Sequence, residues 1–381
     1  MTPTPVGDCD PRFEAVRAAF SENFISRGEL GASVCLTLGG RTVVDLWGGW
    51  QGAEQRRPWQ ADTLVNVFSV GKAVAATCVA RLVGQGRLAY DQPVAQVWPE
   101  FAQSGKAAIT VRQLLSHQAG LPALRPPMAP GSVFEWSRLC TALAEQAPWW
   151  PPGTAHGYHV NTFGFLVGEL VRRVTGTTLG TMVQREIAGP LGADLFIGVP
   201  DRELGRVADF VGHSELPEVD RSLLSDGQLM ELNAYFNPPE FSGSGVVNTR
   251  RWRQAELAST NGHASARGIA RFYDALVRGG RLDGTLVVDA GALREARQEQ
   301  VYGEDRVLHR SSRFGLGFQL TQPERPLGPN DGAYGHFGAG GSLGFCDPDA
   351  GLAFGYAMNS MGPRWQNPRN KALIEACYQC L

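Results

Sequence analysis

Ser69-Val70-Gly71-Lys72 is the first place in this chain where residue types and spacing could do chemistry. Residues 70–83 carry a helical pattern that ends at Gly84 and Gly86, so Ser69 stands at a helix start. The i, i+3 spacing then puts both side chains on one face. The positive end of the helix dipole disfavours an ammonium there, lowers the lysine pKa and helps to stabilise a serine alkoxide. A neutral amine beside a serine hydroxyl can take its proton, as nucleophilic catalysis requires. Arginine cannot, because it does not deprotonate. The distinction matters in this chain: of 35 Lys plus Arg, only Lys72, Lys106 and Lys371 are lysines. The structural alternative is an N-capping serine followed by a surface lysine, although a lysine in a first helical turn is electrostatically poor.

Two further segments carry candidate groups. Tyr158 lies in a loop just before a helical stretch that starts at Thr162. A phenol beside a cationic amine can serve as a second proton carrier, and a buried structural tyrosine is the alternative. The second segment is Tyr334-Gly-His336-Phe337-Gly338-Ala339-Gly-Gly-Ser342-Leu-Gly344. Glycines on an edge strand let a substrate approach the backbone, whose N–H groups could complete an oxyanion hole with that of Ser69. His336 reads equally as a hydrogen-bonded structural histidine. Gly340-Gly-Ser342-Leu-Gly344 also matches the G-x-S-x-G nucleophile elbow, which needs a strand before the serine and a helix after it. Here Phe345-Cys-Asp-Pro leads into a β-turn instead, which argues against Ser342 as nucleophile. His117 reads as holding a helix end and a loop, and Asn261 and His263 as a capping or packing segment. Trp149, Trp150 and Phe241 suit either an acyl pocket or the core.

The elements that must position these groups follow from periodicity. Helical patterns cover 11–27, 111–116, 134–145, 162–174, 178–187, 265–278 and 370–378. Strand patterns cover 33–38 and 42–47, joined across Gly39-Gly40, then 314–320, 341–345 and 352–358, the last two joined by the turn 347–351. The resulting α+β architecture is a central antiparallel sheet built from 1–86 and 311–381 and flanked by the terminal helices. A mostly helical lobe, 87–310, is inserted into it and carries Tyr158. The cleft between the two lobes is where an active site is expected.

Composition bounds the function. The chain has 381 residues, 43% hydrophobic and 19% charged, with a net charge of −2, which points to neither nucleic acid nor an anionic membrane surface. No apolar run reaches the roughly 18 residues a membrane span needs. Residues 1–5 lack a positive or apolar signal segment, so the expected compartment is the cytoplasm. The seven cysteines are scattered and odd in number, and Cys377-x-x-Cys380 has no second pair or nearby histidine; reduced thiols are expected, with no disulfide framework or zinc site. No metal-ligand spacing or phosphate loop is visible, so no cofactor or metal is expected.

Ser69-x-x-Lys72, Tyr158-x-Val160 and His336-x-Gly338 follow in the order and rough spacing of three signatures. They resemble those of the serine β-lactamases, DD-peptidases and family VIII carboxylesterases. Residues 109–122, 152–154, 190–192 and 335–344 also look like that superfamily, and the resemblance spans about 12–378. It implies a β-lactamase-like fold, with Ser69 as nucleophile, Lys72 as its proton partner and Tyr158 as general base sharing that role. It further implies an oxyanion hole from the N–H groups of Ser69 and Ala339, with His336, Phe337 and Gly338 at the substrate. Two departures matter. The lactamase Tyr-x-Asn reads Tyr158-His159-Val160, with Asn161 one place late, and Lys-Thr-Gly reads His336-Phe337-Gly338. A mostly neutral imidazole and a valine suit a neutral ester better than a substrate carboxylate and amide, as in family VIII esterases. The expectation is a serine esterase acting on a small-molecule ester of short to medium chain. The same site could serve a β-lactamase, a D-amino-acid amidase or peptidase, or an acyltransferase. A non-catalytic β-lactam or peptidoglycan-fragment binder is the reading from another class.

Overall fold

The computed structural model describes residues 3–212 and 219–381. Its largest element is a nine-stranded antiparallel sheet that draws strands from both chain ends. The order across it is Val6–Cys9, Arg41–Gly49, Gly31–Leu38, Leu352–Met358, Leu343–Asp347, Tyr334–Phe337, Gln319–Leu320, Ser311–Phe314 and Val301–Glu304. Two interior strands, Gly31–Leu38 and Leu352–Met358, are buried almost throughout, whereas Arg41–Gly49 alternates along its length. Burial of a strand on both faces gives a near-continuous apolar run, and one wetted face gives alternation.

Three helices cover the sheet. Glu14–Ser26 packs with the C-terminal helix Pro368–Gln379, and Ala266–Val277 lies on Leu352–Met358. The terminal helices are tied down by a buried group: Arg369 donates to Glu29 at 2.9 Å, and Tyr356 from the sheet also bonds Glu29. A second, three-stranded sheet joins Val65–Phe68, Gly262–Ala264 and Leu195–Ile197. Helix Val70–Gly84 starts directly after the first of these strands and runs through the interior, with Val70 to Ala80 all buried. Its alanines and valines, with Arg81 as the only charge besides Lys72, make it apolar all round, as a helix in the middle of a protein must be.

The sequence reading needs three corrections. The run 314–320 is two strands: Gly315 N–H bonds Phe318 O at 2.9 Å, Gly317 takes φ +80°, and the chain reverses between Ser311–Phe314 and Gln319–Leu320. The run 341–345 becomes Leu343–Asp347, preceded by a turn at Ala339–Gly341 that sets Ala339 at a bend. Helix Ala266–Val277 and strand Val301–Glu304 belong with the large sheet, although both fall inside the span 87–310 read as the helical insertion. A helical period says which face is apolar but not which layer that face meets.

Candidate active site

Ser69 sits where the strand Val65–Phe68 turns sharply into the helix Val70–Gly84. The turn is strained at Phe68, a non-glycine residue with φ +48°. Phe68 is held there by an edge-on contact with Phe210, ring centroids 4.8 Å apart. Ser69 occupies the N-cap position, yet its hydroxyl caps nothing. It donates to Ser259 O at 3.1 Å and receives Lys72 Nζ at 3.0 Å. The capping alternative is therefore excluded by geometry.

Lys72 is buried and has no counter-ion among the described residues. Its Nζ reaches Ser69 Oγ, Val160 O at 2.7 Å and Ser259 O at 2.9 Å. Burial holds its pKa well below the ordinary lysine value, because the charged form loses its water. The three partners suit both protonation states. An ammonium donates to all three; a neutral amine keeps two N–H groups for the two carbonyls and turns its lone pair to the Ser69 hydroxyl.

Both carbonyls come from loops the lobe supplies. Val160 follows Tyr158 in the loop before helix Thr162–Thr175. Ser259 belongs to a loop closed by Asn261, whose side chain accepts from Leu257 N–H at 2.8 Å and donates to Trp252 O at 2.8 Å. Ser259 Oγ accepts from Gly164 N–H at 2.6 Å, which locks the Ser259 loop to the first turn of the helix that follows Val160.

Tyr158 is fully buried in an aromatic box. Its ring stacks on Phe314 and meets Trp365 and His117, with centroids at 5.7, 5.0 and 5.0 Å, and Lys72 Nζ lies 4.7 Å from its centre. Its hydroxyl has no hydrogen bond of ordinary geometry among the described residues. Burial pushes its pKa well above 10, opposed by the Ser69 hydroxyl. Its backbone N–H donates to Asp305 Oδ1 at 3.0 Å. The same oxygen accepts from Val307 and Leu308 N–H, while Oδ2 accepts from Ser312 Oγ, which is bonded to His156. His117 carries the other side of the loop: its Nδ1 accepts from His159 N–H and its carbonyl from Gly157 N–H.

Ser69, Tyr158 and Ala339 line one cavity of about 680 Å³ at the cleft. His336, Phe337 and Gly338 do not line it. His336 lies behind, its Nδ1 donating to Phe337 O at 2.7 Å. Burial, with help from Lys72, pushes its pKa down to about 3, so the ring is neutral. Gly338 is required for space: a side chain there would collide with Ser342 Oγ and Val67 O. Ser342 itself donates to Val67 O at 3.0 Å from a fully buried position, so it fastens the Ala339 turn to the strand leading into Ser69.

Trp149, Trp150 and Phe241 do not reach the cavity; the two indoles donate to Ala123 O and Ala155 O. Tyr235, Phe236 and Trp365 form its aromatic wall, and Arg310 and Arg364 lie on it as well. Sequence reasoning singled out none of these five, nor Ser259 or Asp305. A backbone carbonyl leaves no side-chain signature, and the others have no fixed spacing from Ser69. Among the described residues no helix is long and apolar enough to cross a membrane.

The beta-lactamase family model matches residues 14–377. Esterase/beta-lactamase LipL of Mycobacterium tuberculosis is 34% identical over 371 residues, covering 93% of this chain and 83% of LipL. The crystal structure of a family VIII carboxylesterase superposes with a TM-score of 0.91 at 42% identity, covering 99% of this chain and all (100%) of that one. A penicillin-binding-protein homologue from Caulobacter crescentus superposes equally, with a TM-score of 0.91 at 44% identity and the same 99% and 100% coverage. With this fold and these relatives, the chain belongs to the beta-lactamase family and is a serine hydrolase of that superfamily.

Proposed function

We propose that the protein is a carboxylesterase acting on short- to medium-chain esters through an acyl-Ser69 intermediate. The observation that carries this reading is the buried Lys72 amine, with no counter-ion among the described residues, 3.0 Å from the Oγ of Ser69, which lines an ester-sized cavity. Ser69 Oγ attacks the ester carbonyl carbon, and its proton passes to the Lys72 lone pair. The N–H groups of Ser69 and Ala339 take the oxyanion, each contributing about 3 kcal/mol. The tetrahedral intermediate expels the alkoxide, which takes up a proton and leaves as the alcohol. Water then attacks the acyl-Ser69 carbonyl by the reverse route and frees the acid.

The opposed shifts of the two titratable groups divide the labour. Lys72 is favoured as neutral amine and Tyr158 as neutral phenol. We therefore assign first proton acceptance to Lys72, and to Tyr158 delivery of the proton to the leaving alcohol, rather than the shared base role that family resemblance suggests. The neutral His336 supports an ester over a substrate that needs a cation at that position. Slow β-lactam hydrolysis is the second reading, supported by the likeness to LipL, which is named for both activities.

The test is hydrolysis of 4-nitrophenyl acetate and butyrate by wild type and Ser69→Ala, with mass spectrometry of the quenched wild type. Turnover that disappears in Ser69→Ala, with an acyl adduct on the Ser69 peptide, is the expected result. Full activity in Ser69→Ala would remove Ser69 from the mechanism. Nitrocefin and D-alanine amides, run in parallel, separate the β-lactamase and amidase readings.

A further inference from the structure

The cavity wall is chemically lopsided. Apart from Ser69 and a few hydroxyls it is aromatic and aliphatic, it has no aspartate or glutamate among the described residues, and it carries two arginines, Arg310 and Arg364. Many arginines elsewhere hold carboxylates closely, among them Arg112 with Glu295 at 2.5 Å, Arg206 with Asp194 at 2.6 Å and Arg172 with Glu169 at 2.7 Å. Among the described residues, Arg310 and Arg364 hold none. Arg310 is half-buried, and its Nε is closed off from solvent with no hydrogen-bond partner. Its guanidinium lies 4.7 Å from the centre of the Trp365 ring. That ring in turn contacts Tyr158, so the cation stands two ring contacts from the nucleophile's proton relay. The buried Asp305 acts on Arg310 through space, but its oxygens are filled by three backbone N–H groups and Ser312.

An uncompensated cation in a partly dry cavity is costly unless something pairs with it. Burial and repulsion from Arg364 both act against the Arg310 charge, which a bound anion would relieve. Arginine's planar fork fits a carboxylate with two parallel hydrogen bonds. We propose that the preferred ester carries a carboxylate, held by Arg310 and Arg364 at the Trp365 end of the cavity while Ser69 attacks the ester at the other. This deepens the esterase reading and rests on it. This anion site is separate from His336, which lies behind the cavity at the position where the superfamily's lysine would stand.

The test compares matched pairs of esters. With the charge on the alcohol side, 4-acetoxybenzoate is set against 4-acetoxybenzamide. With the charge on the acyl side, mono(4-nitrophenyl) adipate is set against 4-nitrophenyl hexanoate. The readout is the ratio of kcat/KM for anion over neutral partner. We expect wild type to favour the anion in at least one pair, which tells which side of the ester faces Arg310. Arg310→Gln and Arg364→Gln should each lower that ratio about tenfold or more, the range of a lost charge-assisted hydrogen bond. Arg310→Lys should recover part of it. Arg364→Glu, at an exposed position where folding is safe, should reverse the preference toward a cationic ester such as acetylcholine. Ratios near one in wild type and unmoved by the four variants would overturn the proposal and leave the esterase reading standing. If no ester is turned over, the esterase reading fails instead. Calorimetric binding of 4-acetamidobenzoate against 4-acetamidobenzamide to Ser69→Ala then reads the same selectivity without turnover, and equal affinities would sink the proposal.

Discussion

Two of the three lysines are buried, and they do opposite things. Lys72 Nζ meets two backbone carbonyls and the hydroxyl of Ser69. Lys106 Nζ meets two backbone carbonyls, Gln103 O at 2.8 Å and Gln146 O, and no side-chain hydroxyl. Both lie out of contact with water and both have lowered pKa values from desolvation, Lys106 at about 8. Lys106 stitches a loop to the end of helix Trp136–Glu145, with the Phe101 ring 5.6 Å from its ammonium. Lys72 stands beside a cavity with room for a substrate. Burial and a depressed pKa are thus common to both; a hydroxyl in reach and an open cleft separate the proposed proton acceptor from a structural staple. Lys371, on the exposed face of the last helix, 3.8 Å from Glu375, is the ordinary case.

The sharpest way to break this comparison is to make the same substitution at both sites. Lys72→Arg keeps the charge but removes the ability to accept a proton, so kcat/KM on 4-nitrophenyl butyrate should fall about 10³-fold or more. Lys106→Arg should leave the rate within about twofold, because no reacting atom is near it. Comparable losses in the two variants would mean that Lys72, too, acts only by holding the fold. Tyr158→Phe comes next: it keeps the aromatic box and removes the proton, and should cost about 10²-fold in kcat. A pH profile sharpens the assignment. The neutral amine is the active form, so the rate should rise with pH through the lowered Lys72 pKa, on a limb below the ordinary lysine value. Lys106→Arg should leave that limb in place.

A smaller effect is expected at Asp305, which holds the Tyr158 backbone without touching the cavity. Asp305→Asn should lower kcat about tenfold through misplacement of the phenol while KM and the position of the pH limb stay put. A shifted limb would instead give Asp305 an electrostatic part in proton transfer.

Which of these residues the sequence could reveal follows from how each acts. The roles proposed for Ser69, Lys72 and Tyr158 rest on side-chain chemistry; type and a shared helix face single out Ser69 and Lys72, whereas Tyr158 stands out only through the family resemblance, and the structure brings all three together. The helix start at Ser69 and the hairpin at 347–351 were legible for the same local reason, whereas the strand Val65–Phe68 that leads into Ser69 was not. Ser259 and Val160 act through carbonyl oxygens, which any residue carries. Asp305, Arg310 and Trp365 lie far along the chain from Ser69, delivered by the last edge of the sheet and the segment before the C-terminal helix. Nothing local marks Arg310 among so many arginines; what marks it is its place on the cavity wall with its Nε closed off and unpartnered, which only the assembled cavity shows. The division at 310/311 failed to anticipate the strand Val301–Glu304 because its short, half-exposed run carries little apolar signal.

The comparison of the two buried lysines also has a stability side, with the smallest effect on rate. An unfolded lysine titrates near 10.4, whereas Lys106 in the fold titrates at about 8. Between those values the unfolded chain binds more protons than the folded one, so this group makes stability rise with pH across that window. Lys106→Met removes the titration and leaves Gln103 O and Gln146 O without a donor, at about 1–3 kcal/mol for each carbonyl left unsatisfied. Urea unfolding of both proteins at a series of pH values isolates the group, because the other titrating residues cancel in the difference. The advantage of wild type should grow by about 1 kcal/mol per pH unit from pH 8 to 10 and be flat below it. A difference that is constant with pH would mean that Lys106 keeps its ordinary pKa in the fold, and that its neighbourhood is wetter than that of Lys72.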